Sequence, residues 1–77
     1  MNKLSFKDMH GDEVTVGDRI RIVSHYNYQF EQGKECDVVW DSEHGNYEYT
    51  YKEERRGKSF TTTSDFCGVH QFELITK

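Results

Sequence analysis

Cysteine and histidine are the residues of this chain most able to bind a metal, and two of them stand close together. Cys67 and His70 are separated by two residues, the spacing of one half of a zinc site. Cys36 and His44 could supply two more ligands. A structural zinc site normally shows two paired motifs, however, and only one pair is present here. We therefore predict no metal site, and no disulfide between the two cysteines, because thiols stay reduced inside cells.

Nucleophilic catalysis needs a nucleophile, a base and an orienting group held together. His10 lies between Asp8 and Asp12, and His25 and His44 have acidic neighbours, but no spacing singles out such a set. The chain also lacks a phosphate-binding loop, a dinucleotide fingerprint and a metalloprotease helix. A domain this small has little room for a cleft of roughly 300 Å³ or more. We predict a protein that is not an enzyme and has no cofactor.

Aromatic and basic residues follow one another in NYEYTYKEERRG, residues 46–57. Tyr47, Tyr49 and Tyr51 stand at alternate positions, so one face of a strand would carry all three. Such a row can stack nucleic-acid bases, and it can equally be one wall of a core. Hydrophobic residues are only 34% of the chain, so a domain of this size needs its aromatics inside. We therefore predict that the tyrosines face the core.

The basic run that follows leaves a nucleic-acid interface open as the alternative. Small barrels bind single strands with aromatic platforms beside basic residues, and Arg55 and Arg56 would be the basic part. The net charge of −4 argues against this function, as do Glu53 and Glu54, since carboxylates repel phosphates. A protein partner is therefore the preferred interpretation, with a single-stranded nucleic acid as the alternative.

The long connection at residues 24–35 is the best candidate for a protein-binding surface. It carries three aromatics, Tyr26, Tyr28 and Phe30, with little periodicity, and it is about twice the usual loop length. Aromatic residues are frequent interface anchors, and binding residues concentrate on loops. The same side chains could instead fold the loop back over an open end of the domain. Both interpretations are compatible with the sequence.

A period of two runs through the elements that must position these residues. Apolar and polar residues alternate at 14–16, 20–23, 36–40, 47–51, 60–66 and 72–74, and β-branched and aromatic types dominate these runs. Turns are predicted at residues 10–12, 43–46 and 56–57, and the first would connect a strand at 4–7 to the one at Val14. The 77 residues are enough for one domain. The pattern predicts a single all-β domain, a small barrel or sandwich.

The N-terminal residues contain no apolar signal segment, and no stretch is long and apolar enough to cross a membrane. We therefore expect a cytoplasmic protein without a membrane partner. Acidic residues dominate positions 31–48 and basic ones positions 52–58. Aromatic edge strands and a thin core also favour a homodimer.

The stretch KDMHGDEVTVGDRIRI, residues 7–22, places Asp8, Gly11, Val14, Gly17-Asp18 and Ile20 in the pattern D-x-x-G-x-x-hydrophobic-x-x-G-D-x-hydrophobic. This pattern resembles the opening of YopX-like proteins of phages and prophages, and more broadly that of small Src-homology-3-like barrels. The closing residues, which include Phe72 and Leu74, resemble the last strand of such barrels.

The resemblance implies a Src-homology-3-like barrel of five or six antiparallel strands and a mobile-element origin. It carries over no catalytic residue. We accordingly expect a phage accessory protein, located in the host cytoplasm, that engages or inhibits a host protein. Its predicted partner-binding residues are Tyr26, Tyr28, Phe30, Arg55 and Arg56.

Overall fold

Antiparallel strands account for nearly all regular structure in the computed structural model, which describes residues 5–76. The strands are β1 (Ser5–Lys7), β2 (Glu13–Thr15), β3 (Arg19–His25), β4 (Glu35–Asp41), β5 (Asn46–Arg55), β6 (Lys58–Asp65) and β7 (Val69–Thr76), with one 3₁₀ turn, η1 (Gln29–Glu31). The all-β prediction is confirmed. Residues 5–76 form seven strands, whereas the resemblance implies five or six. The two short strands β1 and β2 lie where the sequence predicts strands, and they are additional to a sheet of five. Leu4, which the sequence predicts in the first strand, lies outside the described residues.

The strands of residues 5–76 form two sheets. β1 and β2 form a two-stranded ribbon, and the other strands form a five-stranded sheet in the order β6-β5-β4-β3-β7. The ring centroid of Phe6 on β1 lies 4.2 Å from the ring centroid of Tyr47 and about 5 Å from those of Phe66 and Phe72. The ribbon therefore packs over one face of the large sheet, and the result is a small barrel-like domain.

The core lies between the ribbon and the large sheet, and alternate residues of the strands supply it. Its buried apolar members are Val14, Ile20, Ile22, Cys36, Val38, Tyr49 and Tyr51. Tyr49 and Tyr51 are 0% and 7% exposed, and Tyr47 on the same face is half-buried against Phe6 and Trp40. The prediction that the tyrosine row faces the core is confirmed. Aromatic rings thus supply volume that the few aliphatic residues cannot.

Asp8 connects the ribbon to β7. Its Oδ1 accepts the backbone N–H groups of His10 and Asp12 at 2.9 and 2.8 Å, and its Oδ2 accepts that of Leu74 at 2.7 Å. Burial works to raise the pKa of Asp8, but the three backbone donors together hold it below its ordinary value. The first aspartate of the glycine-aspartate pattern is therefore a structural residue that ties the two sheets together.

The Gly17-Asp18 turn is determined by contacts within the turn itself. Gly17 has φ +96°, a conformation that side chains with a Cβ rarely adopt. Asp18 then accepts the backbone N–H of Thr15 at 2.9 Å, which fixes the bend before β3 begins. The pattern at residues 8–20 thus encodes two turns and a tie between sheets.

The turn between β5 and β6 has two residues, Arg56 and Gly57, with φ of +53° and +75°. Positive φ at both positions is the mark of a type I′ turn, whose twist matches that of the flanking strands. The hairpin predicted at 56–57 is confirmed. Its two strands pair without interruption from Arg55 opposite Lys58 to Glu48 opposite Asp65.

Candidate functional site

The loop between β3 and β4 presents its aromatic side chains to solvent. Tyr26, Tyr28 and Phe30 are 68%, 50% and 63% exposed. Of the two interpretations of this loop, folding back on these rings is therefore wrong. A ring exposed to water contributes little to the stability of the fold, because only apolar surface that is removed from water is stabilising. Three large aromatics on one exposed loop are instead an unusual concentration of uncovered apolar surface.

The three rings are arranged by contacts with one another and with two histidines. Tyr28 meets Phe30 edge to face with ring centroids 5.6 Å apart, and the ring of His25 lies 5.1 Å from that of Tyr28. The ring of Tyr26 instead contacts the ring of His70 on β7, with centroids 4.9 Å apart. The loop therefore carries a pair of aromatic rings and, beside it, a separate tyrosine–histidine pair.

Glu31, at the end of η1, anchors the loop from below. Its side chain is 4% exposed, and its oxygens accept the hydroxyls of Tyr49 at 2.8 Å and Tyr51 at 2.7 Å. The backbone of this turn is thereby held against the core-facing row of β5. The anchor is a buried carboxylate, where an apolar residue is the common solution for a loop of this kind.

His25, the last residue of β3, holds the other end of the loop. Its Nδ1 accepts the backbone N–H groups of Asn27 and Tyr28 at 3.1 and 3.0 Å, so the ring proton resides on Nε2. Nε2 lies 3.5 Å from Oε1 of Glu31. Gly68 packs so closely on this ring that a Cβ there would lie 2.4 Å from Cε1. The imidazole is therefore fixed on both sides.

The buried surroundings of Glu31 raise the pKa values of the tyrosines and the cysteine near it. Burial, together with the hydrogen bond to Glu31, raises the pKa of both Tyr49 and Tyr51 above the ordinary phenol value. Burial, with a contribution from the charge of Glu31, raises the pKa of the Cys36 thiol to about 12. Both tyrosines are thus hydrogen-bond donors to Glu31 at neutral pH, and Cys36 is an unreactive thiol.

The burial of the tyrosines corrects the nucleic-acid alternative in one respect. Tyr49 and Tyr51 are only 0% and 7% exposed, so they cannot stack on bases as that alternative requires. Tyr47 is half-buried, with the rings of Phe6 and Trp40 packed against it. The aromatic residue that does lie beside the arginines is Phe60 on β6, which is 49% exposed.

Arg55 and Arg56 lie at the tip of the β5–β6 hairpin, on a different element from the aromatic loop. A groove of about 700 Å³ runs along this tip between the basic residues and Phe60, so the expectation that a domain of this size has little room for roughly 300 Å³ or more is wrong. Arg55 forms an ion pair with Glu53 at 3.1 Å, so part of the positive charge is compensated locally. The five predicted partner-binding residues therefore occupy two surfaces, one aromatic and one basic.

The four residues considered as metal ligands lie in different settings. Cys36 is in the core and Cys67 is exposed, while His70 contacts Tyr26. His44 Nδ1 donates to Oδ2 of Asp41 at 2.6 Å within the β4–β5 turn, and Glu43 lies close to both. Among the described residues, the group whose possible ligand atoms lie within 4.8 Å of one another is Asp41, Glu43 and His44, which contains only His44 of these four.

The residues that sequence reasoning missed are His25 and Glu31, which were counted only as a loop histidine and as one of several acids. A signal was present, since buried tyrosine hydroxyls need acceptors. Two core-facing tyrosines on one strand therefore predict a buried acceptor nearby. Nothing in the sequence says which of the many carboxylates supplies it.

Comparison of the chain with models of protein families, with curated proteins and with solved structures gave no match. Within residues 5–76, no helix is long and apolar enough to cross a membrane.

Proposed function

We propose that the protein is a non-enzymatic binding module that recognises another protein through Tyr26, Tyr28 and Phe30. The observation that carries this proposal is the exposure of these three rings on a loop whose backbone is fixed by buried polar contacts. A loop without function has no need of exposed aromatics, because they leave apolar area in water. A binding loop needs both the rings and the fixed backbone.

The fixed backbone increases the affinity that the rings can supply. Binding by a mobile loop costs ordering entropy, and a loop that is already ordered avoids most of that cost. Each ring can bury roughly 150–250 Å² of surface in a partner. Tyrosine is among the residues most often found to dominate the energy of an interface. The pair formed by Tyr28 and Phe30 is the natural centre of the contact.

The partner of this module is a host protein, and the module is a phage or mobile-element accessory protein that inhibits it. This part of the proposal rests on the resemblance of residues 7–22 to YopX-like proteins. The structure supplies a compatible fold for it, since the pattern residues form the turns that a small barrel needs.

Affinity capture from a bacterial lysate, followed by mass spectrometry, tests the proposal. The variant Tyr28→Ala/Phe30→Ala removes the ring pair, and Arg55→Glu/Arg56→Glu is the matched double change on the other surface. We expect a protein captured by the wild type and by the arginine variant but lost with the aromatic variant. Capture that depends on the arginines and is indifferent to the rings would overturn the proposal.

The second candidate function is binding of single-stranded nucleic acid at the hairpin tip, and the observation that favours it is the exposure of Phe60 beside Arg55 and Arg56. One stacked base and a few phosphates would fit such a surface. Binding of this kind weakens steeply with salt. An oligonucleotide affinity that falls with salt and disappears in Phe60→Ala would establish it.

A further inference from the structure

The two edges of the five-stranded sheet differ in how they are protected. β7 is one edge, and its outward groups are occupied: Met9 donates its N–H to the carbonyl of Phe72, and Leu74 donates its N–H to Asp8. β7 also pairs with β3 through register shifts, which bend an edge away from further pairing. β6 is the other edge, and within residues 5–76 its neighbour in the sheet is β5 alone.

The type I′ turn determines which groups of β6 point outward. In a two-residue hairpin the pair flanking the turn, here Arg55 and Lys58, exchanges both backbone hydrogen bonds. Residues at even positions of β6 therefore bond to β5. The backbone N–H and C=O groups of the odd positions point away from the sheet, at Ser59, Thr61, Thr63 and Asp65.

β6 lacks the features by which proteins usually protect an edge. It is eight residues long, KSFTTTSD, without proline or glycine. Its pairing with β5 shows no bulge, and its charged residues stand only at the two ends. The interior is rich in threonine, a strand-forming residue. Phe60 adds exposed apolar surface to the strand. Such an edge is a template for one more antiparallel strand.

We propose that the added strand is β6 of a second copy of this chain, and that the two copies form a continuous ten-stranded antiparallel sheet about a two-fold axis. Outward-pointing residues must pair with outward-pointing residues, so odd positions face odd positions. The register that uses all four places Ser59 opposite Asp65 and Thr61 opposite Thr63 of the other copy. Thr62 then lies opposite itself on the axis.

Charge complementarity selects a second copy over an unrelated strand. The hairpin tip, with Arg55, Arg56 and Lys58, stands at one end of β6. The opposite end carries Asp65 with Glu48 beside it, and the acidic turn that contains Asp41 and Glu43 precedes β5. Antiparallel pairing brings the basic tip of each copy to the acidic end of the other, and does so twice.

The same register covers the exposed aromatic ring. Phe60 lies on the core-side face of β6, since its neighbours at even positions, Thr62 and Ser64, are half-buried there. In the paired sheet it stands opposite Ser64 and diagonal to Thr62 and Phe66 of the other copy, within reach of a phenyl ring. The proposed interface uses none of the residues of the aromatic loop, so each copy keeps that loop free for its partner.

Sedimentation velocity over a wide range of protein concentration tests the pairing. We expect a concentration-dependent dimer in the wild type. Thr61→Lys/Thr63→Lys places lysines opposite one another twice, which raises the dimer dissociation constant by about tenfold or more. The control Gln32→Lys/Gln71→Lys adds the same charge at exposed positions away from β6. Circular dichroism confirms that each variant is folded. A wild type that is monomeric throughout, or a dimer that the threonine variant leaves intact, overturns the proposal.

A cysteine placed on the axis tests the register independently. Opposed residues that are not hydrogen-bonded have Cα atoms about 4.5 Å apart, which is within disulfide range. In a Cys67→Ser background, Thr62→Cys should form an intermolecular disulfide on mild oxidation. Thr61→Cys should not, because position 61 of one copy faces position 63 of the other and not position 61. Equal cross-linking of both variants, or of neither, contradicts the proposed register.

Discussion

Replacement of Glu31 by alanine is the most severe test of the polar anchor beneath the aromatic loop. The carboxylate accepts the hydroxyls of Tyr49 and Tyr51 at 2.8 and 2.7 Å in buried surroundings. Alanine leaves both hydroxyls without this acceptor, and each buried polar group left unpaired costs about 1–3 kcal/mol. We expect Glu31→Ala to lower the free energy of unfolding by about 2–6 kcal/mol. A small domain has only about 5–15 kcal/mol in total.

Urea unfolding followed by the fluorescence of Trp40, the single tryptophan, measures this loss. Glu54→Ala is the control, because it removes an exposed carboxylate and should change the free energy by no more than about 0.5 kcal/mol. Glu31→Gln keeps the size of the side chain and one acceptor, so its effect should be intermediate. If Glu31→Ala were as mild as Glu54→Ala, the anchor as described would be refuted.

A second substitution separates the loss of an acceptor from a general disturbance of the loop. Tyr51→Phe removes one of the two hydroxyls that Glu31 accepts. In a chain that already carries Glu31→Ala, this hydroxyl is an unpaired group, and its removal should cost less than in the wild type. Strictly additive effects of the two changes would show that the hydrogen bond contributes nothing.

Three further predictions follow from the packing and the shifted pKa values. Gly68→Ala should lower the free energy of unfolding by about 1–3 kcal/mol, because the added Cβ would lie 2.4 Å from the His25 ring, which its hydrogen bonds hold in place. The control is Cys67→Ala, an exposed neighbouring change that should leave the stability unaltered. Equal melting temperatures for the two variants would be contrary to this packing. The folded-state pKa of Asp8 lies below 3.8, so its ionised form stabilises the fold fully above that pH, and this contribution is lost as the pH falls through the folded-state pKa. Acid unfolding should therefore be shallower in Asp8→Asn than in the wild type, and identical acid profiles would argue against the role of Asp8. The pKa values of Tyr49 and Tyr51 lie above 10.0, so their contribution is present below pH 10 and is lost as the pH rises through the folded-state values. In an ultraviolet titration these two of the five tyrosines should ionise only as the sheet unfolds, and complete ionisation of a chain that stays folded would be inconsistent with their burial.

The fold was predictable from the sequence wherever a local pattern determined it. Alternation of apolar and polar residues placed the strands and the inward face of the tyrosine row, and the need of a short chain for aromatic core volume decided which face that was. Gly17 and the Arg56-Gly57 pair marked turns because their backbone conformations favour few residue types. These features depend on neighbours in the chain, so the sequence expresses them directly.

The candidate site was predictable only in part, because its supports come from distant segments. The loop and its three aromatics were identified, and the structure shows them exposed. The backbone of the loop is held by Glu31, which accepts hydrogen bonds from tyrosines 18 and 20 residues further along the chain. No local pattern distinguishes that glutamate from the other acids nearby. The unprotected edge at β6 likewise became visible only with the order of the strands.

The binding affinity of the captured protein for the purified module, measured by calorimetry, tests the central claim most directly. Wild type and the Arg55→Glu/Arg56→Glu variant should bind it with similar affinity. Tyr28→Ala/Phe30→Ala should bind about tenfold more weakly or worse while it unfolds at the same urea concentration as the wild type. Unchanged affinity in the aromatic variant, with binding lost in the arginine variant, would contradict the claim that the loop is the recognition surface.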